Sequence, residues 1–161
     1  MPATHQYRIT KFDPANRDSA GHYIADEWYL HSQIGESFGG VLLTEDEYLQ
    51  AESAYIATAI DFHREAGLSD VFAVGVEVHN MKGAPTEGSL IPAERLPILC
   101  RALLREEYWC RIEGDDFFIH FGWDFYMYLG ASTSCERTLG HARSRGLFPE
   151  PFISPYHPED L

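Results

Sequence analysis

Lysine is scarce in this chain: only Lys11 and Lys82 occur, against ten arginines. Between Asp18 and His63 there is no lysine or arginine at all. Binding to a phosphate backbone or an anionic membrane surface requires clustered basic side chains. A formal net charge of −13 over 161 residues therefore argues against nucleic acid and membrane as partners. Cysteine is also sparse. Cys100, Cys110 and Cys135 are odd in number and form no CxxC spacing, so reduced thiols in a cytoplasmic setting are expected. No run approaches the roughly 18 apolar residues of a membrane helix. The opening MPATHQYRIT lacks the basic-then-apolar order of a secretion signal.

Chemical signatures are missing as well. Walker A, the Rossmann glycine fingerprint and HExxH are all absent, which removes the commonest NTPase, dehydrogenase and zinc-protease classes and leaves less familiar enzymes open. No cofactor is implied. Eight histidines invite a metal reading, but none pairs with cysteine at zinc spacing, so no metal is expected.

What is present is an ordinary globular composition, 45% hydrophobic and 23% charged, that fits one domain over residues 1–161 with an extended, proline-containing tail over 149–161. Tyr7 to Phe12 alternates like a strand. Asp13 to Gly40 is turn-rich yet carries Tyr23, Trp28, Tyr29, Ile34 and Phe38, too aromatic for a passive loop. Thr44 and Glu47 form a capping-box signature for a helix over Glu45–Ala66, which Gly67 ends. Val71 to His79 reads as a strand with Phe72, Val74, Val76 and Val78 toward the core and Ala73, Gly75, Glu77 and His79 opposite. A helix from Pro92 to about Glu106 follows, with Pro97 setting off or kinking its first turn. Next come a strand over Tyr108–Glu113, a turn at Gly114-Asp115, an alternating segment over Phe117–Leu129 and a helix over Ser134–Arg145 with capping-box spacing at Thr133 and Glu136. Adjacent late strands predict an α+β fold: an antiparallel sheet with helices packed on one face, a two-layer sandwich.

Two regions are candidates for function. In Phe117–Leu129, Ile119, Phe121, Trp123, Phe125, Met127 and Leu129 share one parity, and His120, Asp124, Tyr126 and Tyr128 share the other. Alternate side chains of a strand face opposite ways. As one strand, the segment places an imidazole, a carboxylate and two phenols on a single face. His120, Asp124 and Tyr126 then suit acid–base work, and Glu77 and His79 can join them with Tyr128 in a ligand-binding face. A bend or hairpin at Gly122 would break that assignment. Cys135, near the start of the last helix, is a third and minor candidate, because a helix dipole lowers a thiol pKa there.

The stronger signal is charge. Asp18 to His63 holds nine acids and no lysine or arginine. Large fields of one sign accelerate association with opposite charge, and aromatics amid charge are typical interface anchors. Asp26, Glu27, Trp28, Tyr29 and Glu36 are therefore the expected contacts for a basic protein partner. The leading expectation is a non-catalytic inhibitor or immunity-type protein, and the alternative is a small enzyme or ligand-binding protein using the His120 face. Oligomeric state is not encoded in any pattern of the sequence.

Overall fold

The computed structural model describes residues 3–78 and 83–156. Seven strands form one sheet in the order β5-β4-β6-β7-β8-β1-β9, every neighbour antiparallel: β1 (His5–Thr10), β4 (Val71–Val78), β5 (Leu90–Ile91), β6 (Tyr108–Gly114), β7 (Phe117–Phe121), β8 (Met127–Ala131) and β9 (Phe148–Pro151). A small hairpin of β2 (Ser37–Phe38) and β3 (Val41–Leu42) stands apart. Its two-residue turn is Gly39-Gly40, both at positive φ, as a hairpin twisted to match its strands requires. Three helices, α1 (Glu45–Glu65), α2 (Leu96–Leu104) and α3 (Glu136–Ser144), cover one face of the sheet. This is the two-layer α+β sandwich.

Helix α1 begins where its cap predicts: the Thr44 hydroxyl accepts from the Glu47 amide at 3.2 Å, with Glu45, Asp46 and Glu47 in the first turn. Tyr48, Tyr55, Ala59 and Phe62 recur at helical spacing and belong to the core, and Glu52 is buried beside them. Pro97 falls in the first turn of α2, where no intrahelical bond is lost, and the separate turn ahead of it is a 3-10 turn over Ala93–Arg95. At α3 the expected Thr133–Glu136 capping box does not form. Cys135 occupies the cap position with left-handed backbone and no side-chain cap bond. The carboxylate of Glu65, at the end of α1, accepts instead from the amide of Thr138 at 2.8 Å and from its hydroxyl at 2.6 Å. One helix therefore caps another. The tail begins as the edge strand β9, paired with β1.

The face assignment of β4 changes half-way along the strand. Val71 and Ala73 are the buried residues, and Phe72 is 38% exposed, opposite to the alternation expected for Phe72 and Val74. A β-bulge lies between Val74 and Glu77, with Gly75 at φ +68. One extra residue reverses the parity beyond it. Val76 then packs on the core while Val78, also expected to be buried, is exposed. Glu77 reaches the sheet face that carries no helix, opposite Trp109. The bulge amides of Gly75 and Val76 are satisfied by the Glu87 carboxylate at 2.9 and 2.8 Å.

Candidate functional site

The alternating segment Phe117–Leu129 is a hairpin rather than one strand. Phe121 pairs with Met127, His120 with Tyr128, and the Gly122 amide closes the loop on the Tyr126 carbonyl at 2.8 Å. His120 and Tyr128 share the sheet face away from the helices. Asp124 and Tyr126 belong to the loop and line a separate recess. The hairpin takes Asp124 off the strand position that was to set it beside His120. Trp123 is also displaced from the expected core face: it is 43% exposed and lies beside Trp109, ring centroids 6.5 Å apart. Phe125, at positive φ, still reaches the core and meets Tyr55, Trp28 and Tyr48.

His120, expected on a wet face, is 0% exposed. The chain beyond β9 crosses this face and seals it. The Ser154 amide donates to Gln6 Oε1 at 3.0 Å, and the Tyr156 ring packs against Trp109 and Tyr128. His120 Nδ1 lies 2.6 Å from Ser154 Oγ, and Nε2 lies 3.2 Å from Glu113 Oε1. Phe118 stacks on the imidazole at 4.2 Å, over Gly130, where any Cβ would strike the Phe118 ring. Glu113, His120 and Ser154 have the connectivity of a nucleophile relay. Ser154 is nevertheless 1% exposed, and its oxygen accepts the Tyr156 amide at 3.1 Å. The chain of bonds is a buried lock that fastens the tail to the sheet. Glu77 lines a different recess with Trp109, Arg111, Trp123 and Tyr156, and His79 lies outside the described residues.

Cys135 is also corrected. Its thiol is buried, and burial raises its pKa, which outweighs any help from the helix end. Among the described residues no three His, Cys, Asp or Glu side chains gather as a metal site.

The acidic aromatic stretch is ordered by its own turns. Asp18 Oδ1 accepts from the amides of Ala20 and His22, both at 2.9 Å, and Arg17 ties the loop to Glu150 on β9 at 2.9 Å. Asp26 accepts the Gly39 amide at 2.7 Å, joining the loop to the β2–β3 turn. Trp28 is half-buried, wedged against Tyr48 and Phe125 at 5.3 and 5.1 Å, so it serves as an internal anchor of the loop. Asp26 and Glu36 are exposed, as are Ile24, Tyr29, Val41 and Leu42.

Between this loop and the β7–β8 loop lies a recess of about 260 Å3 whose walls include Phe12, Tyr23, Tyr29 and Tyr126 and whose carboxylates are Glu27 and Asp124. It joins one half of each sequence candidate. The Tyr23 hydroxyl donates to Glu27, and burial followed by that bond pushes the phenol pKa up to about 12. Desolvation raises the pKa of the Asp124 carboxyl. Neither acid has a cation at ion-pair distance among the described residues, whereas Glu52, Asp61, Glu113 and Glu150 each have at least one. The nearby cations are already engaged. Arg8 and Arg17 both hold Glu150, and Lys11 sits over the Phe12 and Trp28 rings at 4.2 and 4.1 Å. Phe12 carried no sequence signal for this role, because only loop closure brings it beneath Tyr23, 5.0 Å away.

Comparison of the chain with known protein families, curated proteins and solved structures returned no match.

Proposed function

We propose that this is a non-catalytic binding protein that docks a basic protein partner on its acidic, aromatic face, in the manner of an inhibitor or immunity protein. The observation that carries it is the recess whose Glu27 and Asp124 carboxylates make no ion pair among the described residues, beside the exposed acids and apolar side chains of the acidic stretch. Interfaces combine an apolar and aromatic centre with a charged rim that sets association rate. Ile24, Tyr29, Val41 and Leu42 supply the first, and Asp26, Glu36, Glu45, Asp46 and Glu47 the second.

Immobilised protein should capture a basic partner from the native host, and the pair should then be followed by binding kinetics across a salt series. Changing Asp26, Glu27 and Glu36 to amides should slow association, with a difference that shrinks as salt rises. Binding indifferent to both salt and the amides would refute the proposal.

A second reading, a small-ligand site, is favoured by Arg111. This residue is buried on the helix-free sheet face, its Nε has no hydrogen-bond acceptor and only a 3.6 Å ion-pair approach to Glu113, and it lines the recess of about 290 Å3 with Trp109 and Trp123. That reading predicts a function lost in Arg111→Met and kept in the triple-amide protein.

A further inference from the structure

Accepting the binding reading above, on which this step rests, we infer that the recess between Phe12, Tyr23, Tyr29 and Tyr126 receives one arginine side chain of the partner, its guanidinium held between the carboxylates of Glu27 and Asp124. The cavity, about 260 Å3, has the dimensions of a side-chain socket and is small for a cofactor site. Its chemistry selects a cation twice over. Two carboxylates line it with no cation at ion-pair distance among the described residues, and its aromatic wall already draws cations, since Lys11 lies 4.2 Å over Phe12 and Arg8 5.3 Å over Tyr126, which leaves Tyr23 and Tyr29 for a further guanidinium.

Lys11 and Arg8 act on Glu27 and Asp124 only through their fields, without an ion pair. Asp18 to His63 contains no lysine or arginine, and the flanking cations Arg8, Arg17 and Lys11 are engaged with Glu150 or with the Phe12 and Trp28 rings. Guanidinium fits better than ammonium for three reasons. It is planar and stacks on tyrosine, it is weakly hydrated and so loses less on entering a partly apolar cavity, and its five donors can serve two carboxylates together with a phenol oxygen. Tyr29 is the open wall through which a side chain would enter, since it is exposed while Phe12 is buried. The same protein already places one guanidinium in such a setting: Arg8 lies 4.0 Å over the Phe152 ring while paired with Glu150.

The test uses the full chain and three capped tripeptides that differ only at the centre: acetyl-Gly-Arg-Gly-amide, its lysine analogue and its citrulline analogue, which keeps the shape of arginine without the charge. Amide NMR titrations up to about 10 mM cover the affinity of a single side chain. Arginine should shift Tyr23, Ala25, Glu27, Tyr29, Asp124 and Tyr126. Lysine should bind several-fold more weakly, and citrulline should not bind. Glu27→Gln and Asp124→Asn should each weaken the arginine peptide about tenfold, and Tyr29→Ala, on an exposed wall, several-fold.

Equal binding of citrulline, or shifts that ignore both amide variants, would overturn the socket. A poly-arginine peptide separates the two levels. If it binds wild type and the Glu27→Gln/Asp124→Asn double variant equally, the socket fails and the acidic face stands. If it binds neither protein, both fail.

Discussion

Glu52 belongs to the acidic stretch by sequence but is only 1% exposed, and its replacement tests how that stretch is built. Its carboxylate accepts from Arg105 Nε and Nη2 at 2.8 and 3.0 Å, from Arg101 Nε at 3.1 Å and from the Tyr48 hydroxyl at 2.6 Å. Glu52→Ala strands all of these donors. Removing one partner of a buried pair costs about 3–5 kcal/mol. Arg101 is half-exposed and Arg105 partly so, and both can regain water, which places the expected loss near the lower bound, about 3 kcal/mol. Glu52→Gln keeps the volume and one acceptor and should lose about 1.5–2 kcal/mol. The sign with pH follows from the carboxyl itself. Burial alone raises its pKa, but the hydrogen bonds from Arg105, Tyr48 and Arg101 outweigh it and hold the group below its ordinary value. A depressed carboxyl contributes stability that is present above the unfolded value, about 4.3, and is lost as pH falls through the folded value. The gap between wild type and Glu52→Gln should therefore be full at neutral pH and close in acid. Urea denaturation at several pH values measures it. A loss under about 1 kcal/mol in Glu52→Ala, or a gap that does not change with pH, would refute the assignment of Glu52 as a buried hub.

Two further outcomes concern packing and charge. Phe125→Ala should cost about 3–4 kcal/mol in denaturant because the ring is fully packed among aromatics, while Asp124→Asn should stay within about 0.5 kcal/mol, and a larger loss in the second would reverse the roles assigned to this loop. Lys11 has a buried ammonium with no hydrogen-bond acceptor, and burial lowers its pKa to about 8. The unfolded chain then holds more protons between about pH 8 and 10.4, so this residue's contribution to stability should rise with pH across that window. Lys11→Met should abolish the rise and stabilise the protein at neutral pH by about 1–3 kcal/mol, as read by urea denaturation at pH 7 and 9.5.

The fold was largely legible in the sequence because its determinants are local. Thr44 with Glu47 starts α1 and Gly67 ends it, whereas the hairpin over Ser37–Leu42 was read only as part of a turn-rich stretch. The errors arise where one residue changes phase. The bulge at Gly75 reverses the faces of β4, and the glycine amid β-branched residues was its sole trace. In the hairpin the opposite happens. Phe121 pairs with Met127, so odd positions face odd positions and two strands with a five-residue loop imitate one long alternation. Ile119, Phe121, Met127 and Leu129 were therefore placed correctly, whereas the loop residues Trp123 and Asp124 were free to leave the pattern. The lock on His120 was illegible because Glu113 and Ser154 meet it only through the sheet order and the returning tail.

The same long-range pairing redefines the charge available to a partner. Of the nine acids from Asp18 to His63, Glu52 is neutralised by Arg101 and Arg105, and Asp61 by Arg145 at 2.6 Å with Arg64 at 3.7 Å. Those arginines all come from outside the stretch. Asp18 and Asp26 spend oxygens on backbone amides that shape the loop, which fixes their positions but leaves their charge in place. The acids able to steer a partner are thus the exposed set around the recess, Asp124 on its wall included, and the α1 N-terminus, together with the half-buried Glu27. Exposed charges act over about a Debye length and are screened by salt, while a partly desolvated carboxylate is screened much less. Amides at Asp26 and Glu36 should act on the association rate and its salt dependence. The amide at Glu27, which is half-buried, should act on the dissociation rate and persist at high salt.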